Sequence, residues 1–310
     1  MSRIACLFPG QGSQAVGMGR DLYERSPLVR GLYAKADDVL GVPISKISFE
    51  GPEEELRLTA NTQPALLVMG VAAFRLLGLE PAVAAGHSLG EYCALVAAGG
   101  LRFEDAVGLV RKRGQYMQDA VPVGTGAMAA ILGVPGAAIQ RGLEQVRAGV
   151  VEIANWNSEE QIVISGEKAA VEEALALIKP PRSVMLPVSA PFHSRLMKRA
   201  EAKLAADLDA AKFDDLRFPV ITNVDARVIR TGEEARLALK RQVSRAVLWT
   251  KSMNVLREME IDACVELGPG KVLSGLLKRA SRGWPKAPVC HNVDGFEGLE
   301  KTRAALSGLL

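Results

Sequence analysis

The pentapeptide Gly86-His87-Ser88-Leu89-Gly90 joins a small apolar run, Ala82 to Ala85, to the helix-prone segment Glu91-Tyr92-Cys93-Ala94-Leu95-Val96. A buried strand, a sharp turn and a helix in that order are the setting G-x-S-x-G needs, and they commit this part of the chain to an α/β layer. So tight a turn needs neighbours without Cβ if the serine hydroxyl is to stand exposed, which is the steric role of the two glycines. The helix start supplies orphan N–H groups and the positive end of a dipole, and the N–H of Leu89 is placed to hold an oxyanion. The pattern points to a nucleophilic serine in acyl chemistry. A capping serine on a glycine-rich turn is the plainer alternative on the pentapeptide alone.

A chain of 310 residues, 48% hydrophobic and 24% charged, can bury a large core and divide into two parts. Apolar stretches are short and interrupted, and the N-terminus reads Met-Ser-Arg and then a strand, without a charged-then-apolar leader. The expectation is a cytoplasmic protein with no membrane partner. Cys6, Cys93, Cys264 and Cys290 lack the spacing of a zinc site or redox motif and are expected to be buried thiols, so no metal is expected. The net charge of +3 is too small to argue for nucleic acid. It is unevenly spread: residues 227–286 hold 13 Lys and Arg against 6 Asp and Glu, among them Lys240, Arg241, Arg245, Lys278, Arg279, Arg282 and Lys286. Such a flank would attract an acidic partner, or it is simply a set of solvated helix faces.

Strand and helix patterns alternate from Ile4–Phe8 onward. Helices are expected near 19–39, 63–77 and 103–119, with a strand at 82–86. From Gly124 the texture becomes strand 128–132, helix 135–147, strands 150–154 and 161–165, helix 167–179 and strand 183–188. That βαββαβ order is the ferredoxin-like unit. After Pro191 come a helix near 194–209 and strands at 219–224, 263–267 and 288–292. The expected fold is therefore α/β. Residues 1–123 and 191–310 form a discontinuous, α/β-hydrolase-like large subdomain with a mostly parallel sheet, and residues 124–190 form an inserted ferredoxin-like small subdomain.

A serine hydroxyl needs a base. Of three histidines, His87 adjoins Ser88 and points away from it, and His291 in the last apolar strand reads as a hydrogen-bonded core residue. His193, in the stiffened junction Ser189-Ala190-Pro191-Phe192-His193-Ser194, can face a cleft and is the expected base. In the helix from Phe103, the apolar stripe runs through Ala106, Val110 and Met117, and Arg113 falls on it. A guanidinium buried there should meet a carboxylate, either the protein's own or a substrate's, with Gly114 beside it opening room.

These residues carry a resemblance. Over essentially its full length the chain resembles the malonyl-CoA:acyl carrier protein transacylase family. The matches are Phe8-Pro9-Gly10-Gln11-Gly12-Ser13-Gln14, Gly86-His87-Ser88-Leu89-Gly90-Glu91-Tyr92, Arg113-Gly114 with Met117-Gln118, Gly124-Thr125-Gly126-Ala127-Met128, Asn155 and Asn157-Ser158 with Gln161, Pro191 and His193, Arg241-Gln242, and Gly268-Pro269-Gly270-Lys271. The resemblance implies ping-pong transfer: Ser88 takes malonyl from malonyl-CoA and passes it to the phosphopantetheine thiol of acyl carrier protein. It implies His193 as base and acid, oriented by a backbone carbonyl near Gln242, and an oxyanion hole from the N–H groups of Gln11 and Leu89. Arg113 would grip the malonyl carboxylate, and Asn155 would contribute near the cleft. Phe192 is a bulky neighbour that would fit a methyl-branched extender poorly. No cofactor is implied beyond malonyl-CoA as substrate, and the family mostly works as monomers.

Two departures stand out: Ser158-Glu159-Glu160-Gln161 where relatives often read Ser-Pro-Gly-Gln, and Ala246-Val247-Leu248-Trp249 where they often have Pro-Val before the Trp. A serine thioesterase or hydrolase would share Ser88 and His193 but has no use for Arg113. Gly10-Gln11-Gly12-Ser13-Gln14-Ala15 also fits a dinucleotide-binding loop, although Pro9 breaks the strand-to-loop geometry it would need. The same chemistry would serve a polyketide or malonate decarboxylase system.

Overall fold

A computed structural model describes residues 3–188 and 190–307. Ten strands are numbered along the chain: β1 Ile4–Phe8, β2 Val83–Gly86, β3 Gly126–Leu132, β4 Val151–Ser158, β5 Gln161–Glu167, β6 Arg182–Met185, β7 Val220–Ile221, β8 Val228–Ile229, β9 Ala263–Leu267 and β10 Val289–Val293. They form two sheets. The larger has the order β10-β9-β1-β2-β7-β8, and every pair is parallel except β7 with β8. The central strands β1, β2 and β9 are buried at every residue, as strands covered by helices on both faces must be. The smaller sheet, order β4-β5-β3-β6, is antiparallel throughout, with the helices Gly136–Leu143 and Lys168–Ile178 in the two crossovers of a ferredoxin-like unit.

The two faces of the large sheet separate its apolar residues into two cores. One holds Cys6, Phe8 and Val265 with the helices around Leu67 and Leu95; the other packs Ala5, Leu7 and Cys264 against Trp249, Met253 and Leu277. The alternation along β1 assigns neighbouring residues to opposite cores.

Several expectations shift locally. The helix expected near 19–39 is broken at Ser26-Pro27 into Arg20–Arg25 and Pro27–Leu40, since proline opens a helix more readily than it continues one. The helices Ile44–Glu50 and Glu53–Arg57 carried too few turns to be read from periodicity. The helix Thr59–Leu77 carries Pro64 inside it; the carbonyl of Ala60, whose helical donor the proline removes, accepts from Arg111 Nη1 at 2.9 Å. Cys290 is exposed on the edge strand β10, unlike the other three cysteines. On the same strand His291 is only half-buried and its Nε2 has no hydrogen-bond partner, so it is not the bonded core histidine expected. An edge strand lacks the second neighbour that would have enclosed both. The expectations that touch Met1, Ser2 and Ser189 lie outside the described residues.

Candidate active site

The turn after β2 is as crowded as a nucleophile elbow requires. A Cβ at Gly86 would stand 1.9 Å from the carbonyl carbon and oxygen of Gly90, and one at Gly90 would stand 2.0 Å from the carbonyl oxygen of Phe8. Gly10 packs as closely on the other side, where a Cβ would come within 2.4 Å of the His87 carbonyl oxygen. This last contact seats the loop bearing Gln11 against the elbow. Ser88 is held at φ 52°, a left-handed conformation that costs a non-glycine residue energy and turns its side chain out of the strand-to-helix path.

Asn223 clamps the strand side of that turn with both ends of its amide. Its Oδ1 accepts from the Ser88 N–H at 2.6 Å and its Nδ2 donates to the Gly86 carbonyl at 2.6 Å. The strand expected over 219–224 ends at Ile221 in the structure, and the chain's departure from the ladder there frees Asn223 for this work. Nothing in the residue type or its spacing announced it.

His193, also in the left-handed region at φ 57°, places Nε2 2.7 Å from Ser88 Oγ. Its Nδ1 lies 3.0 Å from the carbonyl oxygen of Gln242 and 3.2 Å from that of Arg245. Two acceptors at Nδ1 fix the proton there, so Nε2 is the lone-pair nitrogen that faces the serine hydroxyl. Burial, followed by the positive charge of Arg113, pulls the imidazole down to about 3. The base is thus neutral and ready to accept a proton throughout the ordinary range.

Arg113 is 1% exposed. Its Nη1 donates to Gln63 Oε1 at 2.7 Å, and its Nη2 donates to Ser88 Oγ at 3.1 Å and to Gln242 Oε1 at 3.0 Å, while Nε has no partner. All three acceptors are neutral. Gly114 plays a different part from the one expected. A Cβ there would meet the backbone of Thr59 and Ala60 at 2.7 Å, so the space it opens is filled by the helix Thr59–Leu77, which brings Gln63 to the guanidinium. The Gln242 side chain completes the ring: Nε2 donates to the Ser88 carbonyl at 2.9 Å and to Glu91 Oε2 at 2.8 Å. Glu91 also accepts from the Asn223 N–H at 3.0 Å. Burial pushes its carboxyl up to about 7, against the lowering influence of Gln242, Asn223 and Arg113. A glutamate in the otherwise uncharged helix Gly90–Ala97 is the same kind of signal that singled out Arg113, and it would have identified this residue.

The structure therefore brings Ser88, His193, Arg113 and Gln242 into one hydrogen-bonded group. Leu89 immediately precedes the first residue of the helix Gly90–Ala97, so its N–H is one of that helix's orphan donors beside Ser88. Gln11 sits on the loop pressed against His87, its side chain donating to Thr59 Oγ1 at 3.2 Å. His87 points away from Ser88, with Nε2 2.8 Å from Asn157 Oδ1 and its ring 5.3 Å from that of Trp249. Asn155 is buried on β4 beside Val247, and none of its hydrogen bonds reaches Ser88, His193 or Arg113. Phe192 is buried in the core that also holds Met117 and Met128. A cavity of about 810 Å³ lies beside the β4–β5 hairpin, lined by Pro135, Trp156, Ile162 and Leu248, and contains none of the reacting groups. Among the described residues no His, Cys, Asp and Glu cluster could hold a metal ion.

Residues 6–295 match the model of the acyl transferase domain family. The chain is 48% identical over 290 residues to the malonyl CoA-acyl carrier protein transacylase of Bacillus subtilis, covering 91% of this chain and 92% of the relative. The corresponding Escherichia coli K12 protein is 47% identical over 287 residues, covering 90% and 93%. A solved malonyl-transacylase in complex with a type II PKS acyl-carrier protein superposes with a TM-score of 0.94 at 42% identity, covering 98% of this chain and 100% of that one. The transacylase structure from Coxiella burnetii gives 0.94 at 41%, with 98% of both chains covered.

Proposed function

The chain belongs to the malonyl-CoA:acyl carrier protein transacylase family, and from that premise we propose how its residues move a malonyl group. The reaction is transfer of malonyl from malonyl-CoA to acyl carrier protein, the step that supplies fatty acid synthesis with extender units. Ser88 Oγ gives its proton to His193 Nε2 and attacks the thioester carbonyl. The N–H groups of Gln11 and Leu89 hold the resulting oxyanion. As the carbon–sulfur bond breaks, His193 returns the proton to the departing coenzyme A thiolate, leaving a malonyl ester on Ser88. In the second half the phosphopantetheine thiol gives its proton to His193 and attacks that ester, and Ser88 Oγ leaves with the proton. The carbonyls of Gln242 and Arg245 keep the imidazole in the required tautomer throughout. No cofactor takes part, and malonyl-CoA enters as substrate.

One observation carries the choice of acyl group: a buried guanidinium whose acceptors are all neutral lies 3.1 Å from the nucleophile. A malonyl carboxylate supplies the directly bonded charged partner that the guanidinium lacks, while an acetyl group leaves it without one. A water-directed hydrolase has no use for such a group. Phe192 beside His193 restricts branched donors, and Asn155 contributes to the cleft wall.

The basic flank offers the surface for the acidic carrier protein. Of the residues singled out there, Lys240, Arg241, Arg282 and Lys286 face Asp209, Asp225, Glu160 and Asp262 in ion pairs. Lys278 and Arg279, in the last turn of the helix Val272–Ala280, are the charges we assign to docking. A monomer in the cytoplasm is part of the same proposal. No helix among the described residues is long and apolar enough to cross a membrane.

The test is intact mass after mixing with malonyl-CoA and no acceptor. A stable gain of one malonyl group, absent from Ser88→Ala, is expected. Continuous release of coenzyme A without acceptor would identify a hydrolase, and no reaction at all would remove Ser88 from its role.

A further inference from the structure

The place of Arg113 relative to Ser88 depends on an amide that could face either way. Gln242 Oε1 accepts from Arg113 Nη2, so the guanidinium keeps this position only while the oxygen, and not the nitrogen, of that amide points toward it. The other end of the amide settles the matter. Gln242 Nε2 donates to the Ser88 carbonyl and to Glu91 Oε2, two groups that only accept while the carboxyl is ionised.

Glu91 is fully buried, and the mechanism gives it no proton to move. Burying a carboxylate in a helix of small and apolar residues costs stability, so its presence calls for a use. Its Oε2 makes both of its hydrogen bonds, to Gln242 and Asn223, and its Oε1 makes none. It touches neither Ser88 Oγ nor His193. A direct pair between Glu91 and Arg113 would occupy the guanidinium donors. With Gln242 interposed, Nε stays free and Nη2 remains turned to the nucleophile.

Resting on the reading of Arg113 as the malonyl clamp, we propose that Glu91 is a positioning residue for donor selectivity: by accepting from Gln242 Nε2 it locks the amide that holds Arg113 beside Ser88. The reach of the side chain matters here, because the hydrogen bond needs an acceptor at the distance of a glutamate. Glu91 also accepts from the Asn223 N–H, and Asn223 clamps the elbow, so part of any effect falls on every donor alike. The ratio of malonyl to acetyl transfer isolates the part that passes through Arg113.

The experiment measures kcat and KM for acyl-enzyme formation from malonyl-CoA and acetyl-CoA on the full chain carrying Glu91→Gln, Glu91→Asp or Arg113→Ala. Glutamine keeps the length and an acceptor; aspartate keeps the charge and falls one methylene short. Glu91→Asp is expected to lower the malonyl-to-acetyl ratio of kcat/KM about tenfold through malonyl-CoA KM, the size of one lost hydrogen bond, while Glu91→Gln holds it within about twofold. In an Arg113→Ala background, Glu91→Asp is expected to change the ratio no further. If Glu91→Asp does not fold, Glu91→Ala takes its place with the same expected ratio. An unchanged ratio in the shortened variant, or a loss in Glu91→Gln that Glu91→Asp does not share, overturns the inference. If Arg113→Ala itself leaves the ratio unchanged, the clamp reading fails first; if Arg113→Ala lowers it and the shortened variant does not, only the role of Glu91 falls.

Discussion

His193 Nδ1 stands 3.0 Å from the backbone carbonyl of Gln242, where a Ser-His-Asp triad would present a carboxylate. A carbonyl fixes the tautomer as a carboxylate does, but it brings no negative charge to stabilise imidazolium. Burial first, and the charge of Arg113 second, outweigh the support of that carbonyl and hold the imidazole at about 3.

That value sets the pH behaviour of the first half-reaction. Because the base stays neutral well below the usual histidine range, protonation of the imidazole is not expected to limit acyl-enzyme formation near pH 6.5. In Arg113→Ala the second-largest cause of the shift is gone, and the acid limb should move upward. Rapid-quench acylation rates from pH 4.5 to 8 with acetyl-CoA, which has no carboxylate of its own, would check this. An acid limb that does not move would remove Arg113 as a cause.

Two buried groups, Glu91 and His193, shape stability in opposite directions. The Glu91 carboxyl is raised from 4.5 to about 7, so between those values the native state holds a proton the unfolded chain has released, and stability falls as pH rises through that window. At about 1.4 kcal/mol per pKa unit the loss is on the order of 3 kcal/mol. For His193 the shift is downward, so the unfolded chain binds the extra proton and stability falls as pH drops below 6.5. Denaturant titrations of Glu91→Gln against the parent should show the variant gaining relative stability from pH 5 to pH 8. A difference that does not vary with pH would mean Glu91 is not the titrating group.

Arg113→Ala should lower the preference for malonyl over acetyl by about two orders of magnitude or more, the discrimination expected when a site's buried polar group loses its partner. Parallel kcat/KM measurements with the two thioesters decide it, and a uniform loss with both would make Arg113 a structural group only.

Asn223→Ala removes both ends of the clamp on the elbow. Acylation should fall about tenfold or more with both donors, as for two lost hydrogen bonds, and the donor ratio should stay constant. This uniform loss is the opposite of the pattern expected at Glu91. A selective loss would show that the elbow and the carboxylate clamp are not separable.

Charge reversal at Lys278 and Arg279 should leave acylation by malonyl-CoA intact and raise the KM for acyl carrier protein, with the effect shrinking as salt increases. Transfer assays at two ionic strengths would show it; a rise in KM that salt does not alter would argue against electrostatic docking.

The sequence by itself determined what local chemistry determines. Gly86 and Gly90 flank Ser88 because the turn excludes Cβ, and the structure finds backbone atoms about 2 Å from where those Cβ atoms would be. The alternating strand and helix patterns, and the βαββαβ order between residues 126 and 185, follow from periodicities that need no knowledge of distant residues. Arg113 betrayed itself by standing on the apolar stripe of an amphipathic helix, and Glu91, the one charge in the helix Gly90–Ala97, carried the same kind of signal. Tertiary structure alone decided which distant groups meet. Asn223 reaches the elbow across 135 residues of chain, Gln63 reaches Arg113 because Gly114 lets two helices touch, and the Gln242 carbonyl meets His193 across 49 residues. Cys290 and His291 differ from expectation because their exposure depends on β10 having a neighbour on one side only. Side-chain periodicity reports which way a residue faces within its own element. What it faces is fixed by the packing of elements far apart in the chain, and hydrogen bonds between such elements leave no trace in local spacing.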